Sequence, residues 1–420
     1  MLFFYHLFLL IYAIGIKISA IGNNKAQLWV KGRKKIHDRI KASCDASQQP
    51  IVWMHCASLG EFEQGRELLE RIKKQYPSYR ILLTFFSPSG YEIRKNYKGA
   101  DMIFYLPLDG SKNASTFLNN VKPKLALFIK YDSWYYYLHE LKSRGIPTLL
   151  ISAMFTRDLA FFGIGGSFFR NMLEDYSHIF LQDLNSKELL KEFKIQTPMS
   201  VNGDTRFDRV LDIAATPFSH PVFEKFCKDG NVLIAGSTWK DDEKILAHLL
   251  KENTEIKLII APHEINKNHI AELKIQFPNC TLLSETINNE LFGNPNVLIV
   301  DTIGILSKIY RYATICYVGG GFNKSGIHNI LEAAVYGKIV CFGKEYWFSR
   351  EAESLINLGS AFSFDTKDSF ITYINKILSD KEALKLKNKI AKEFVESNKG
   401  ATNKIMNYLE GNRLLSNSIN

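Results

Sequence analysis

Two kinds of residue in this sequence are spaced to do chemistry: an acid at a helix start, and polar, glycine-containing loops between strands and helices. The stretch W-M-H-C-A-S-L-G-E-F-E, Trp53 to Glu63, runs from an apolar strand through Ser58 and Gly60 into a helix. Gly60 permits close backbone approach, and Glu61 falls beside the free amide donors of the first turn. A carboxylate there has two readings. It can cap the helix, stabilised by the dipole, or it can be a general base that takes a proton from a sugar hydroxyl. Farther along, Ala235-Gly236-Ser237-Thr238 ends one strand and Val318-Gly319-Gly320-Gly321 ends another. Ser325 to Glu332 (S-G-I-H-N-I-L-E) then approaches a further helix. Amides at such helix starts can hold a phosphate, and Glu332 one turn in can accept two hydrogen bonds from ribose hydroxyls. The nicotinamide signature G-x-G-x-x-G after a first strand is absent, which counts against a dehydrogenase.

The elements that must position these residues are legible as alternating apolar runs. Strands are predicted at 51–55, 81–86, 125–129, 148–151, 179–181 and 199–201, with a helix over 61–75 between the first two. Near AATPFSHP, residues 214–221, the pattern lapses, then restarts with strands at 232–235, 258–261, 297–300, 314–318 and 339–342. Strands spaced by helices imply parallel sheets with crossover connections. The expected fold is therefore α/β, with two Rossmann-like domains facing a cleft and ligands beyond the carboxyl ends of the strands. The expected borders are 1–35 for an N-terminal apolar helix and basic segment, 36–215 for the first domain and 216–420 for the second.

A chain of 420 residues with 46% hydrophobic and 23% charged side chains fits two folded domains. The net charge of +10 favours anionic partners, but no nucleic-acid signature accompanies it, so nucleic acid is not an expected partner. Six scattered cysteines with no C-x-x-C pair read as buried free thiols. Met1 to Gly22 is apolar apart from His6 and Lys17, and Lys31, Arg33, Lys34 and Lys35 follow. It can be a membrane anchor or interfacial helix held at an anionic cytoplasmic leaflet, or a helix buried in the protein. No basic region precedes it and no small-residue cleavage site follows, unlike a cleaved signal peptide.

The order of these pieces resembles the 3-deoxy-D-manno-octulosonic acid (Kdo) transferases, over almost the whole chain. HCASLGE is similar to the family's H-x-V-S-V-G-E, TFFSPSGYE to T-T-M-T-P-T-G-S-E, and GDTRFD to G-N-L-K-F-D. GSTWKDDE resembles G-S-T-H-E-G-E-E, DTIGIL resembles D-T-M-G-E-L, and VGGGFNKSGIHNILEAAVYGKIV resembles V-G-G-S-L-V-x-x-G-G-H-N-P-L-E-A-A-x-x-x-x-P-V. The resemblance implies a GT-B type, inverting glycosyltransferase using CMP-Kdo and acting on a lipid A precursor at the cytoplasmic face of the inner membrane. It places Glu61 as catalytic base and Arg206 where the family has a Lys credited with transition-state stabilisation. It places Pro262 and His263 on a P-R pair, Ile303, Gly304 and Ile305 on M-G-E, and Asn329, Ile330, Leu331 and Glu332 on N-P-L-E, all beside the nucleotide. There are departures. KYDSW stands against E-T-E-L-W, so Lys130 replaces one acid and only Asp132 keeps a carboxylate; His263 replaces an Arg with a weaker, pH-dependent cation.

The implied chemistry is direct displacement, with Arg206 and His263 meeting charge on the departing CMP. Neither a metal nor another cofactor is expected: Asp241-Asp242-Glu243 reads as the acidic first turn of a helix. Two other readings remain: a transferase or epimerase of the same fold using a uridine nucleotide sugar, and a non-catalytic peripheral lipid-binding protein. Arg206 and Asp132 also have a bland alternative, a surface ion pair.

Overall fold

In the computed structural model, which describes residues 1–163, 165–286 and 295–416, the chain packs into two compact units. One comprises Met1–Asp208 with Gly400–Asn420, the other Arg209–Lys399. This division differs from the borders read off the sequence. The apolar helix is part of the first unit, and the last helix, Ala401–Gly411, returns to it. The reason for the return is a distant cap. Asp208 accepts hydrogen bonds from the Gly400 and Thr402 amides at 2.5 and 2.7 Å, where that helix begins. Ile405 and Leu409 then bury themselves beside Phe62 and Leu69.

The N-terminal unit is built on seven parallel strands: β1 Ile51–Cys56, β2 Arg80–Phe85, β3 Met102–Tyr105, β4 Leu125–Ile129, β5 Thr148–Ala153, β6 His178–Leu181 and β7 Met199–Val201. Their order is β3-β2-β1-β4-β5-β6-β7. All residues of β1, β4 and β5 are buried, because helices cover both faces of a parallel sheet. Alternation sorts them: Trp53 joins Phe117 and Phe128 on one face, while Val52 and Met54 join Phe62, Leu68 and Ile72 on the other. Helix Leu59–Gln75 supplies those last residues from one stripe, each worth about 1.5–3 kcal/mol when buried.

The C-terminal unit repeats the plan with β8 Asn231–Thr238, β9 Ile256–Pro262, β10 Cys280–Leu282, β11 Val297–Ile299, β12 Ile315–Val318, β13 Val340–Gly343 and β14 Ala361–Phe364. The order is β10-β11-β9-β8-β12-β13-β14, again parallel. In both units the first strand lies between its successor and a strand from later in the chain. That reversal opens a crevice at the carboxyl ends of β1 and β4, and of β8 and β12.

The apolar helix Leu2–Ser19 lies on the N-terminal unit by one stripe, Tyr5, Leu9 and Tyr12. Tyr5 Oη donates to Asp109 at 2.6 Å, Leu9 is buried, and the Tyr12 ring packs 5.9 Å from Phe86. Phe3, Phe4, Phe8, Ile11, Ile14 and Ile18 are exposed. Of the basic residues that follow, Lys31, Lys34 and Lys35 face solvent. Arg33 does not: it sits 3.9 Å from the Trp29 ring and donates to the carbonyls of Leu106 and Phe86.

Candidate active site

The crevice of the N-terminal unit is formed by the loops after β1 and β4, which carry Glu61 and Asp132. Ser58 ends the first loop in extended conformation, and helix Leu59–Gln75 places Glu61 in its first turn. The Ser58 side chain makes no capping bond; Glu61 reaches back instead and accepts from the Ala57 amide. The capping geometry is thus present. A Cβ at Gly60 would meet only the Ser58 hydroxyl, at 4.0 Å, so close approach is not what requires the glycine. The environment of Glu61 is the unusual part. Burial, and then the charge of Asp132, push its carboxyl up to about 8, against the opposing pull of the Ala57 amide and the Lys130 ammonium. A carboxyl so placed holds its proton near neutrality and can exchange it there.

Asp132 Oδ2 lies 2.7 Å from Nε2 of His55, whose side chain is fully buried at the end of β1. The His55 Nδ1 is 2.8 Å from Thr84 Oγ1, directly across the β1–β2 register, and Thr84 also accepts from the Trp53 indole at 2.8 Å. Trp134 Nε1 donates toward His55 Nε2 at 3.3 Å, and its ring packs 4.7 Å from Phe86, the residue that meets Tyr12 of the apolar helix. His55, Thr84 and Trp134 were not singled out from sequence. The only signal was the histidine of HCASLGE, which reads equally well as a core residue.

Arg206 is not paired with Asp132. Its guanidinium grips Asp204 through Nε and Nη2 at 2.9 and 2.7 Å. The same segment is tied to the Glu61 helix, since Thr205 Oγ1 donates to the Gln64 carbonyl. Lys130, with left-handed backbone at φ 71°, carries its ammonium 5.3 Å from the Tyr131 ring.

In the C-terminal unit, Trp239, His263 and His328 follow β8, β9 and β12 and stack face to face. Adjacent ring centroids are 4.5 Å apart. The Trp239 indole donates to His328 at 3.3 Å. Asp242 accepts from Tyr317, Trp239 and Gly320 at 2.6, 2.9 and 3.0 Å, so it is a buried staple as well as a first-turn acid. Gly320 needs its missing Cβ, with φ at +96° and the Gly326 carbonyl 2.4 Å from where a Cβ would stand. Pro262 ends β9, and the His263 amide donates to the Thr238 carbonyl at 2.9 Å. Asn329 accepts from the Leu331 amide at 3.2 Å and donates to half-buried Glu332 at 3.4 Å, while Ile330 and Leu331 are buried. The helix they begin is a single turn, Leu331–Ala334, so any anion there is held by individual amides more than by a long dipole. Gly304, with φ +91°, and Ile305 lead into another short helix, and Ile303 is 93% exposed.

Residues 34–209 match the family model for 3-deoxy-D-manno-octulosonic-acid transferase (kdotransferase). A 3-deoxy-D-manno-octulosonic acid transferase of Haemophilus influenzae is 25% identical over 381 residues, 88% of either chain. These matches, which together run over most of the chain, support the Kdo transferase family. A bifunctional glycosyltransferase/methyltransferase of Fusobacterium nucleatum is also 25% identical over 387 residues; these are 89% of this chain, which spans 57% of that longer protein. The fold is shared more widely. A UDP-GlcNAc 2-epimerase of Neisseria meningitidis, solved with UDP-GlcNAc, superposes with a TM-score of 0.59 at 15% identity, covering 86% of this chain and all of its own. The architecture is accordingly α/β with two parallel sheets, GT-B-like, and the Kdo transferase relatives support a glycosyltransferase.

One expectation about the loops of the C-terminal unit changes. Burial against two rings pushes the His263 imidazole below its ordinary range, and His328 beside it falls to about 4. Both are uncharged at neutral pH. They offer ring faces and neutral hydrogen bonds where the family's Arg would bring a cation.

Proposed function

We propose that this protein is an inverting transferase that moves Kdo from CMP-Kdo to the lipid A precursor, lipid IVA, in lipopolysaccharide biosynthesis. The observation that carries this reading is the placement of Glu61 and Asp132 on the two loops of the strand-order reversal, in a chain with these relatives. Glu61 takes the proton of the attacking sugar hydroxyl. Asp132 stabilises positive charge at the sugar carbon as CMP departs, and Arg206 offsets charge on the departing phosphate. Pro262, His263, Ile303, Gly304, Ile305 and the Asn329–Glu332 turn hold the nucleotide, with Glu332 accepting from the ribose. A single phosphate leaving group does not demand a metal.

The acceptor is a lipid, and helix Leu2–Ser19 is suited to meet it. Eighteen residues at about 1.5 Å each give roughly 27 Å, close to a bilayer core. A spanning helix, however, would present lipid on every side, whereas this one is half committed to protein through Tyr5, Leu9 and Tyr12. Its exposed apolar stripe and Lys31, Lys34 and Lys35 fit an in-plane helix at the anionic cytoplasmic face of the inner membrane. The deciding assay combines purified protein, CMP-Kdo and lipid IVA, with mass spectrometry of the lipid. A Kdo-bearing product supports the proposal; transfer only from a UDP-sugar, or none from either donor, refutes it.

A further inference from the structure

The loop after β13, residues 344–349, holds an indole in solvent on a backbone that is fixed on both sides. Trp347 is 76% exposed, and the Phe348 ring meets it edge to face at 5.3 Å. A scattered exposed ring is ordinary on a surface, but a loop built to hold one is not. The Glu345 amide donates to the Gly321 carbonyl at 2.9 Å, and the Glu345 carbonyl accepts from the Ile327 amide at 3.0 Å. The loop is thereby zipped to the one that leads to Asn329 and Glu332. Phe348 seals the seam, since its ring fills the place where a Cβ at Gly326 would stand. On the far side the Ser349 amide donates to the Tyr346 carbonyl at 2.8 Å, and the Ser349 hydroxyl accepts from the Ala352 amide where helix Arg350–Asn357 begins. A ring held in this way loses little conformational freedom when a ligand covers it.

In the donor pose proposed above, the nucleotide crosses the strand ends from Ile303–Ile305, after β11, to the turn at Asn329–Glu332, after β12. Those strands are three steps apart in the sheet, roughly 14 Å at about 4.8 Å per step, which one nucleoside monophosphate covers. With the base against exposed Ile303 and the phosphate at the turn, β13 is the next strand on the phosphate side. Its loop therefore reaches the sugar that the phosphate carries. We propose that Trp347 is a specificity-determining residue of the donor site: its indole covers one face of the transferred sugar, and exposed Lys344 on the same loop pairs with that sugar's carboxylate. The inference rests on the reading of CMP-Kdo as donor. A sugar ring turns C–H bonds outward on one face, and an indole fits that face. Kdo is also an acid, so a cation beside the indole separates it from neutral sugars, which gain the stacking without the charge.

Three variants of the full chain test this role: Trp347→Ala, Trp347→Phe and Lys344→Gln. The KM for CMP-Kdo is read against the inhibition constant of CMP alone. Trp347→Ala should raise the KM about 2–12-fold, the worth of one aromatic stacking contact, and leave the CMP constant within about twofold. Trp347→Phe keeps a ring and should stay near wild type. Lys344→Gln should raise the KM about 2–5-fold at low salt, and the difference should close as salt is added. An unchanged KM in Trp347→Ala overturns the proposal. Equal weakening of CMP and CMP-Kdo also overturns it, by putting the indole on the nucleotide. Loss of vesicle flotation with no change in KM does so too, by giving the ring to a lipid surface. If the wild-type chain transfers nothing from CMP-Kdo, the reading of the donor fails instead; comparing UDP with a UDP-sugar then still judges Trp347, while the Lys344 pairing falls with the acid.

Discussion

Glu61→Gln is the substitution that separates the two readings of this residue, because cap and base predict opposite changes in stability. Gln keeps the shape and an oxygen to accept from the Ala57 amide, and it removes only the ionisation. In wild type the carboxyl stands at about 8 folded and at its ordinary 4.5 unfolded. Between those values the folded chain holds a proton that the unfolded chain has released. Stability from this group is therefore full below about pH 4.5 and is lost as pH rises through about 8. At about 1.4 kcal/mol per pH unit, the interval from 4.5 to 8 gives an upper bound of about 5 kcal/mol. Relaxation around the ionised group recovers part of that, leaving roughly 2–3 kcal/mol at an effective dielectric near 20. The variant should thus match wild type at pH 5 and exceed it by about 2–3 kcal/mol at pH 8.5, while turnover falls about 10²–10⁴-fold. Hydrogen exchange of the β1 and β4 amides at the two pH values reads the stability of the N-terminal unit, and product formation reads turnover. A variant that loses about 0.5–2 kcal/mol at both pH values and still turns over would make Glu61 a helix cap and nothing more.

Further outcomes follow from the other residues. Glu332→Ala should weaken CMP binding about 10–150-fold by calorimetry, the loss of one charge-assisted bond of about 1.5–3 kcal/mol; unchanged affinity would move the ribose elsewhere. Because burial lowers His263, CMP affinity should vary little between pH 6.5 and 8 and strengthen only under more acid conditions; a steep rise on passing below pH 7.5 would show an imidazolium at neutral pH. Deleting residues 1–22 should abolish flotation with anionic vesicles and also destabilise the N-terminal unit by several kcal/mol, since it strips the Tyr5–Asp109 bond and the Leu9 and Tyr12 contacts. A truncated protein as stable as the full chain would show the helix to be a detachable anchor.

Where sequence reasoning succeeded, the signal was local. A strand buried on both faces is a continuous apolar run, so β1, β4 and β8 could be read within a residue or so of one end. A parallel sheet puts its loops at fixed strand ends, so the residues worth searching were legible before their partners were. The missed strands were β3, β10 and β14, short segments of three or four residues that leave side chains partly exposed and so interrupt the apolar run.

What only the tertiary structure decided was whatever depends on residues far apart in the chain meeting. Asp208 caps a helix that begins more than 190 residues later, and this carries the chain's end back to the first unit. No local pattern encodes such a bond. His55 and Asp132 sit 77 positions apart in sequence, and read alone they are a core histidine and a surface acid; folding brings them to 2.7 Å. The charge of His263 was likewise undecided by its type, because an imidazole titrates so near neutrality that stacking between two rings is enough to set it. Residue type and order determined which chemistry was available and at which strand ends it stood. Burial and long-range pairing determined which of those groups carries a proton at working pH, since both act through the local dielectric and through neighbours that only folding brings within a few ångströms.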